Sequence, residues 1–372
     1  MVFHAKLDRF VAAEFHDLLE VSPLVIYDVG AALQIFDLCG YDDALRTRIV
    51  GFEPVSASCL DVQKMYKAFP NIEIVNAALA DVTGKTTFNL YPSVPTKSGL
   101  KLRDVGLAAG ELEGRNQEEV SCYRLDDVAK ELPFPNPDFL KLDVEGGELD
   151  VLNGGPEKLD QEILGIFTEI CWAHSLVQSY DGPTFADIEI FLRDRGFVLF
   201  DFSVGRGFAG GAEGVGGKKG RPLAGDALYL RDFSQYYNST LQNRPLIDQK
   251  IKLIKMLMIC YSYRFLDYAC DLVCFGKDVG ILTDEEYRTI LDGVRDVHDA
   301  GEYLAWLPWR DKIARMFQYA SYILSGDMNK GVPSGFNTFG NPRKSLLRGK
   351  KRQKILIKNS ITRGGADFEI TL

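Results

Sequence analysis

The stretch Leu24-Val25-Ile26-Tyr27-Asp28-Val29-Gly30 reads as a buried β-strand that runs straight into a glycine turn. Its apolar, β-branched run has no helical period, and Gly30 with Ala31 leaves room for a backbone to come close to a ligand. Working outward, short β-branched runs alternate with amphipathic stretches. Strands are predicted over 24–29, 48–53, 72–77, 138–144, 163–170, 197–202 and 226–231, with helical patterns beginning near Ala31 and Ser56. That alternation predicts an α/β fold, an open and mostly parallel sheet covered by helices. The last two runs are joined by a glycine-rich stretch, Gly205 to Gly220, that holds no crossover helix. They are expected to pair antiparallel, so that the sheet ends in a hairpin. The stretch itself reads as a linker, since no helix start follows it to make a phosphate cradle. An insertion over 84–135 carries two further strand patterns around a polar loop, the place expected to set substrate selectivity.

With 372 residues the chain is longer than one ordinary domain, and 46% apolar residues with 26% charge place it among packed globular proteins. Seven cysteines, with no CxxC pair and no Cys/His cluster at zinc spacing, read as buried thiols in a reducing compartment. No metal site is expected from them. Asp8, Glu14, Asp17 and Glu20 interrupt the amino-terminal stretch and argue against a signal peptide, so the expected location is cytoplasmic. The apolar segment Ile251 to Phe275 contains Lys252, Lys255, Arg264, Asp267 and Asp271, charges too costly for a membrane span.

Beyond Phe233 the pattern turns helical, with a capping box at Thr283 and Glu286 and helical periods through Tyr322. The expected organisation is a catalytic domain over 1–238 with its core at 24–232, a helical accessory domain over 239–330, and a basic, flexible tail over 331–372. Between Pro342 and Gly365 the tail has nine Lys and Arg residues and no acid. A solvated tail explains such a run better than contact with a membrane surface, and the net charge of −9 argues against nucleic acid as a partner.

The strand ending Gly51-Phe52-Glu53-Pro54 places an acid 23 residues after Gly30, the usual interval for a carboxylate that accepts both ribose hydroxyls. Pro54 fixes the chain beyond it. Asp28 is a candidate acceptor for a ligand ammonium group, and Asn76 with Ala77 leaves space for a flat ring. The plain alternatives are a capping acid at Asp28 and close helix packing at Ala77. Asp126 and Asp127, at the start of another helical pattern, read as capping acids.

The string Phe139-Leu140-Lys141-Leu142-Asp143-Val144-Glu145-Gly146-Gly147-Glu148-Leu149, continuing to Val151-Leu152-Asn153-Gly154, is the most distinctive in the chain. It resembles the K-[IL]-D-V-E-G-x-E-x-x-V-L-x-G pattern of FkbM-type methyltransferases. The order Asp28-Val29-Gly30-Ala31, Gly51-Phe52-Glu53-Pro54 and the closing Asp226-Ala227-Leu228 agree with it. The resemblance implies a Rossmann-like class I methyltransferase sheet that uses S-adenosylmethionine (SAM) to methylate a hydroxyl of a sugar, glycan or related natural product. Carried over by position, it implies Asp28, Gly30 and Ala31 at the methionine end, Glu53 and Pro54 at the ribose, Asn76 and Ala77 near the adenine, and Asp143 near the methyl. Ala32, Leu33 and Gln34 stand where the family has Asn-x-Gly. That difference supports a second reading, a degenerate, non-catalytic binding module.

A hydroxyl acceptor needs a base. The candidates are Asp143, Glu145 and His174, the last just past the predicted fifth strand. Asp143 and Glu145 are expected to diverge at the Gly146-Gly147 turn. Glu169 adds an acid at that strand's end, but nothing in the spacing demands a shared cation. An NAD-dependent dehydrogenase is disfavoured, because no G-x-G-x-x-G fingerprint is present.

Overall fold

The computed structural model describes residues 13–32, 35–36, 38, 46–90, 116–172, 182–207, 221–222 and 224–305. Leu33, Gln34, His174, the loop at 91–115, most of the glycine-rich stretch and the basic tail lie outside them. The chain divides into two compact units, residues 1–206 with 222–294 and residues 207–221 with 295–372. Everything below concerns the first, apart from helical residues 295–305.

A seven-stranded sheet is built from β1 (Leu24–Val29), β2 (Thr47–Phe52), β3 (Ile72–Val75), β7 (Phe139–Leu142), β8 (Gly165–Cys171), β9 (Phe197–Phe202) and β10 (Ala224–Arg231). Numbered along the chain, these seven lie in the order 3-2-1-4-5-7-6. The first five are parallel, and β10 runs antiparallel to both β8 and β9. This is the mostly parallel sheet with a terminal antiparallel hairpin that the sequence predicts. Strand β1 is buried on both faces, which explains its unbroken apolar run. One face carries Val25, Tyr27, Val29, Leu140 and Ile166 into the main core. The predicted insertion strands are β5 (Gly84–Leu90) and β6 (Asn116–Arg124), which pair antiparallel, with β4 (Ala78–Ala80) parallel to β6 on the other side.

Several expectations change. The described residues at Ala31, Ala32, Ile35 and Phe36 are not helical. The amide of Ile35 donates to the Tyr66 hydroxyl (3.2 Å) and that of Phe36 to Asp28 Oδ2 (2.6 Å), so side chains take the donors a helix would use. The third strand stops at Val75, because the Asn76 side chain turns back to donate to the carbonyls of Glu53 (3.0 Å) and Pro54 (2.9 Å). Helix α2 (Ser56–Tyr66) forms where expected, after α1 (Ala13–Val21). Asp126 begins α3 (Leu125–Glu131) but caps another helix. Past α4 (Glu148–Asn153), its two oxygens accept from Glu157 N (3.1 Å) and Lys158 N (2.9 Å) at the start of α5 (Pro156–Gln161). Asp127 instead accepts from the Thr83 hydroxyl (2.8 Å).

After α6 (Phe185–Arg193) and α7 (Phe233–Ser239), the long helical period divides into α8 (Leu246–Tyr263) and α9 (Leu266–Asp278). Arg264, left-handed at φ 66°, ends the first. Thr283 and Glu286 form the capping box of α10 (Asp284–Ala305), each side chain bonding the other's amide. Among the described residues no helix is long and apolar enough to cross a membrane.

Helix α8 is joined to the sheet by buried charge. Asp138, just before β7, is paired with Lys252 (2.8 Å) and Lys255 (2.7 Å), and its Oδ2 also accepts the amide of Val25 (2.9 Å). Lys252 reaches Glu162 as well (3.0 Å). Burial raises the Asp138 carboxyl, and the two ammonium groups more than reverse this, so it stays below the ordinary range. Asp138→Asn strips Lys255 of its counter-charge in the interior and is expected to cost about 3–5 kcal/mol. Urea denaturation measures the loss, and Lys255→Met in the same chain should restore part of it.

Candidate functional site

The crevice of such a sheet opens at the carboxyl ends of β1 and β7, where the strand order reverses. On the β1 side the sequence put Asp28, Gly30 and Ala31. Asp28 is fully buried and engaged internally: Oδ2 accepts from Phe36 N, and Oδ1 lies 3.0 Å from Lys141 Nζ. It therefore anchors the loop that follows β1 and does not offer an oxygen to solvent. The amides of Gly30 (3.0 Å) and Ala31 (3.1 Å) both donate to the Phe52 carbonyl, so the turn's donors are taken up by β2. Gly30 has φ 90°, and a Cβ there would meet the Asp143 carbonyl oxygen at 2.0 Å. Its glycine is required by the neighbouring strand end before any ligand is considered.

At the end of β2, Glu53 is 3% exposed, and its Oε1 accepts the amide of Val55 (2.8 Å). Burial pushes its carboxyl up to about 7, with Asp28 and Glu118 adding and the Val55 bond and Lys141 opposing. Such an acid is stabilised by donors brought from outside, which suits a ribose diol. Pro54 and Ala77 are buried beside it, and Asn76 holds the backbone of Glu53 and Pro54 in place. Glu118 of β6 shares the Ser56 hydroxyl (3.0 Å) with Asn76 (3.1 Å), which brings the insertion next to this end of the crevice.

On the β7 side Asp143 is exposed, with its amide donating to the Val29 carbonyl (3.1 Å). It does not cap a helix, because α4 begins five residues later behind Gly147. The turn is left-handed at Glu145 (φ 57°) and Gly146 (φ 100°). This reverses the expected divergence: carboxylate oxygens of Asp143, Glu145 and Glu169 lie within 4.8 Å of one another. Exposed acids cluster in this way without a metal, and Asp143 already has a cation beside it, Lys141 Nζ at 3.5 Å. His174 lies outside the described residues.

A family model, Methyltransferase FkbM domain, matches residues 28–199, from the end of β1 into β9. Residues 28–199 are thus matched to an FkbM methyltransferase domain. SAM is the cofactor of this domain, and the buried acid at the end of β2 fits its ribose-bearing chemistry. Methyltransferase sdnD of Sordaria araneosa is 26% identical over 206 residues, spanning 49% of this chain and 76% of its own length. AMB antimetabolite synthetase AmbE of Pseudomonas aeruginosa is 30% identical over 159 residues, 35% of this chain, which covers only 8% of that synthetase. The N-terminal domain of EvdMO1, crystallised in the presence of SAH and D-fucose, overlaps 61% of this chain and 82% of its own at 11% identity and a TM-score of 0.30. At that score the overlap carries no argument, and the fold rests on the strand order.

Three residues at the carboxyl edge of the sheet were given no role by the sequence reading. Lys141 joins Asp28, Asp143 and the Gly30 carbonyl (3.2 Å) across two strands. Burial lowers its pKa, and the charges of Asp28 and Asp143 more than offset that, so it remains an ammonium. Glu148 Oε1 gathers the amides of Val144 and Gly146 (both 3.1 Å) and shapes the turn that aims Glu145. An acid four residues after Val144, at a helix start, was the available signal. The third is Asp226, near Asp143 at the head of β10. Gly30→Ala is expected to destabilise the domain by about 2–4 kcal/mol, from the positive φ and the Asp143 contact together. A thermal melt of the free protein measures it.

Proposed function

We propose that the protein is a SAM-dependent O-methyltransferase acting on a hydroxyl of a sugar, glycan or related natural product. The observation that carries this reading is the FkbM domain with three carboxylates, Asp143, Glu145 and Glu169, converging at its crevice. A hydroxyl needs a polar, acidic site to be oriented and deprotonated, whereas an apolar acceptor does not. The sugar class rests on the resemblance in the residue motifs.

Bound SAM supplies a methyl group on a sulfonium, ready for in-line displacement. The chain's own part is to hold and orient. Glu53 accepts from the ribose hydroxyls, with Pro54 fixing the chain behind it. Asn76 and Ala77 line the adenine side. Gly30 and Ala31 give the methionine end its floor, and Asp28 holds that floor rigid through Phe36 and Lys141. Asp143 and Glu145 face the reacting end. The strands β5 and β6 and the loop between them select the acceptor. A cytoplasmic location agrees with this chemistry.

The second reading, a binding module without turnover, draws on Ala32, Leu33 and Gln34 and on turn amides already used by Phe52. Calorimetry with SAM, followed by isotope-labelled SAM and a panel of sugars, glycans and polyketide-like alcohols, decides between them. The enzyme reading expects micromolar binding and a product heavier by one labelled methyl on oxygen. Binding without transfer to any acceptor would support the module.

Glu53 gives a pH test. Its carboxyl, at about 7 in the free protein, must be ionised to accept both ribose hydroxyls. SAM affinity should therefore rise by about tenfold from pH 6 to pH 8 and level off above it. Glu53→Gln should bind weakly at both pH values, with a flat profile. A wild-type affinity independent of pH would remove Glu53 from the ribose contact.

A further inference from the structure

The sheet register places one row of groups across four strands. Asp28 pairs with Lys141, Leu142 with Thr168, and Glu169 with Asp226. Glu169 and Asp226 are direct cross-strand partners, carboxylate oxygens of Asp143 and Glu169 lie within 4.8 Å, and Gly30 and Asp143 each follow the last paired residue of their strand, so the four stand along the carboxyl edge. Gly30 is at the end of the row nearer the cofactor turn, and Asp226 is at the far end. Asp226 is half-buried. Its Oδ2 accepts from the Ser203 hydroxyl (3.3 Å), and that hydroxyl accepts the Asp226 amide (2.7 Å).

Asp143 and Asp226 differ in what stands next to them. Asp143 is ion-paired, with the Lys141 ammonium at 3.5 Å from its Oδ2. Asp226 forms no ion pair among the described residues, and its side-chain hydrogen-bond partner there is the neutral hydroxyl of Ser203. We propose that Asp226 takes the proton from the acceptor hydroxyl, and that Asp143, held by Lys141, orients that hydroxyl. This rests on the O-methyltransferase reading above. The acceptor oxygen forms its bond to the methyl carbon as the carbon–sulfur bond breaks, the bonding pair stays on sulfur, and the hydroxyl proton passes to the Asp226 carboxylate.

The electrostatics agree. Burial pushes the Asp226 carboxyl up to about 6, Asp143 adds to this, and the Ser203 bond and Lys141 oppose it. A base in that range is ionised at neutral pH and still accepts a proton readily. The groups facing it are Glu169 on β8, Asp143 and Lys141 on the β7 side, and Ser203 after β9.

The test uses the full chain with labelled SAM and whichever alcohol of the panel above the wild type methylates. Asp226→Asn should lower kcat by about a hundredfold or more, with SAM affinity by calorimetry unchanged. Asp143→Asn should raise the acceptor KM more than it lowers kcat, and Asp226→Glu should recover part of the rate. As a readout apart from turnover, carbon-13 carboxyl spectra of the free protein should show an aspartate titrating near 6 that is missing in Asp226→Asn. An Asp226→Asn variant that keeps more than a tenth of the wild-type kcat would overturn the assignment, as would an Asp226 signal titrating with the surface aspartates. A wild type that methylates no alcohol is a different failure, that of the O-methyltransferase reading, and the base assignment falls with it.

Discussion

Asp138 is the constraint on which the rest of the unit depends. One carboxylate, 1% exposed, meets two lysines of α8 and the amide of Val25, while its backbone bonds the chain at Val25 and Leu164. Three parallel strands and the helix that covers them are thereby registered at their amino ends. Burying three charges is costly, and the cost is offset only if all partners arrive together. The helical region after Phe233 is therefore part of what lets the sheet close, and its lysines are not surface decoration.

The opposite, carboxyl end of the same strands uses charge differently. Lys141 is equally enclosed, but its two carboxylates are unlike each other: Asp28 is sealed in, and Asp143 is half open to solvent. The ammonium fastens the turn after β1 on one side and pairs with the exposed carboxylate after β7 on the other. From Asp143 to Asp226 the carboxylate loses its ion pair and gains burial, and burial pushes the Asp226 carboxyl up. A parallel sheet achieves this with residues far apart in sequence, because register alone makes them neighbours.

The strands were legible because fully buried β-branched runs have one period, and the terminal hairpin because a glycine-rich join leaves no helix for a parallel return. The acids at 53 and 143 stood out by their position at strand ends. Other features were not legible, for local reasons. The helix expected at Ala31 fails because the Asp28 carboxylate and the Tyr66 hydroxyl, distant or opposite in the pattern, take its amides. Asp126 looked like the cap of its own helix and serves the next one. Asp143 and Glu145 were expected to part, but a non-glycine residue at positive φ cannot be read from residue type. Lys141 and Asp226 have partners on other strands, a relation that no single-chain spacing encodes.

Gly30 and Glu53 would age differently in a lineage that stopped binding its ligand. Any side chain at 30 strikes the Asp143 carbonyl, so selection for folding alone retains the glycine. Glu53 is a buried acid whose ionisation weakens the free protein as pH rises past its unfolded value, and folding alone favours its replacement. The glycine turn that first draws the eye is a record of architecture. Under the proposed ribose contact, the survival of the acid at 53 among descendants of this chain is the better record of use.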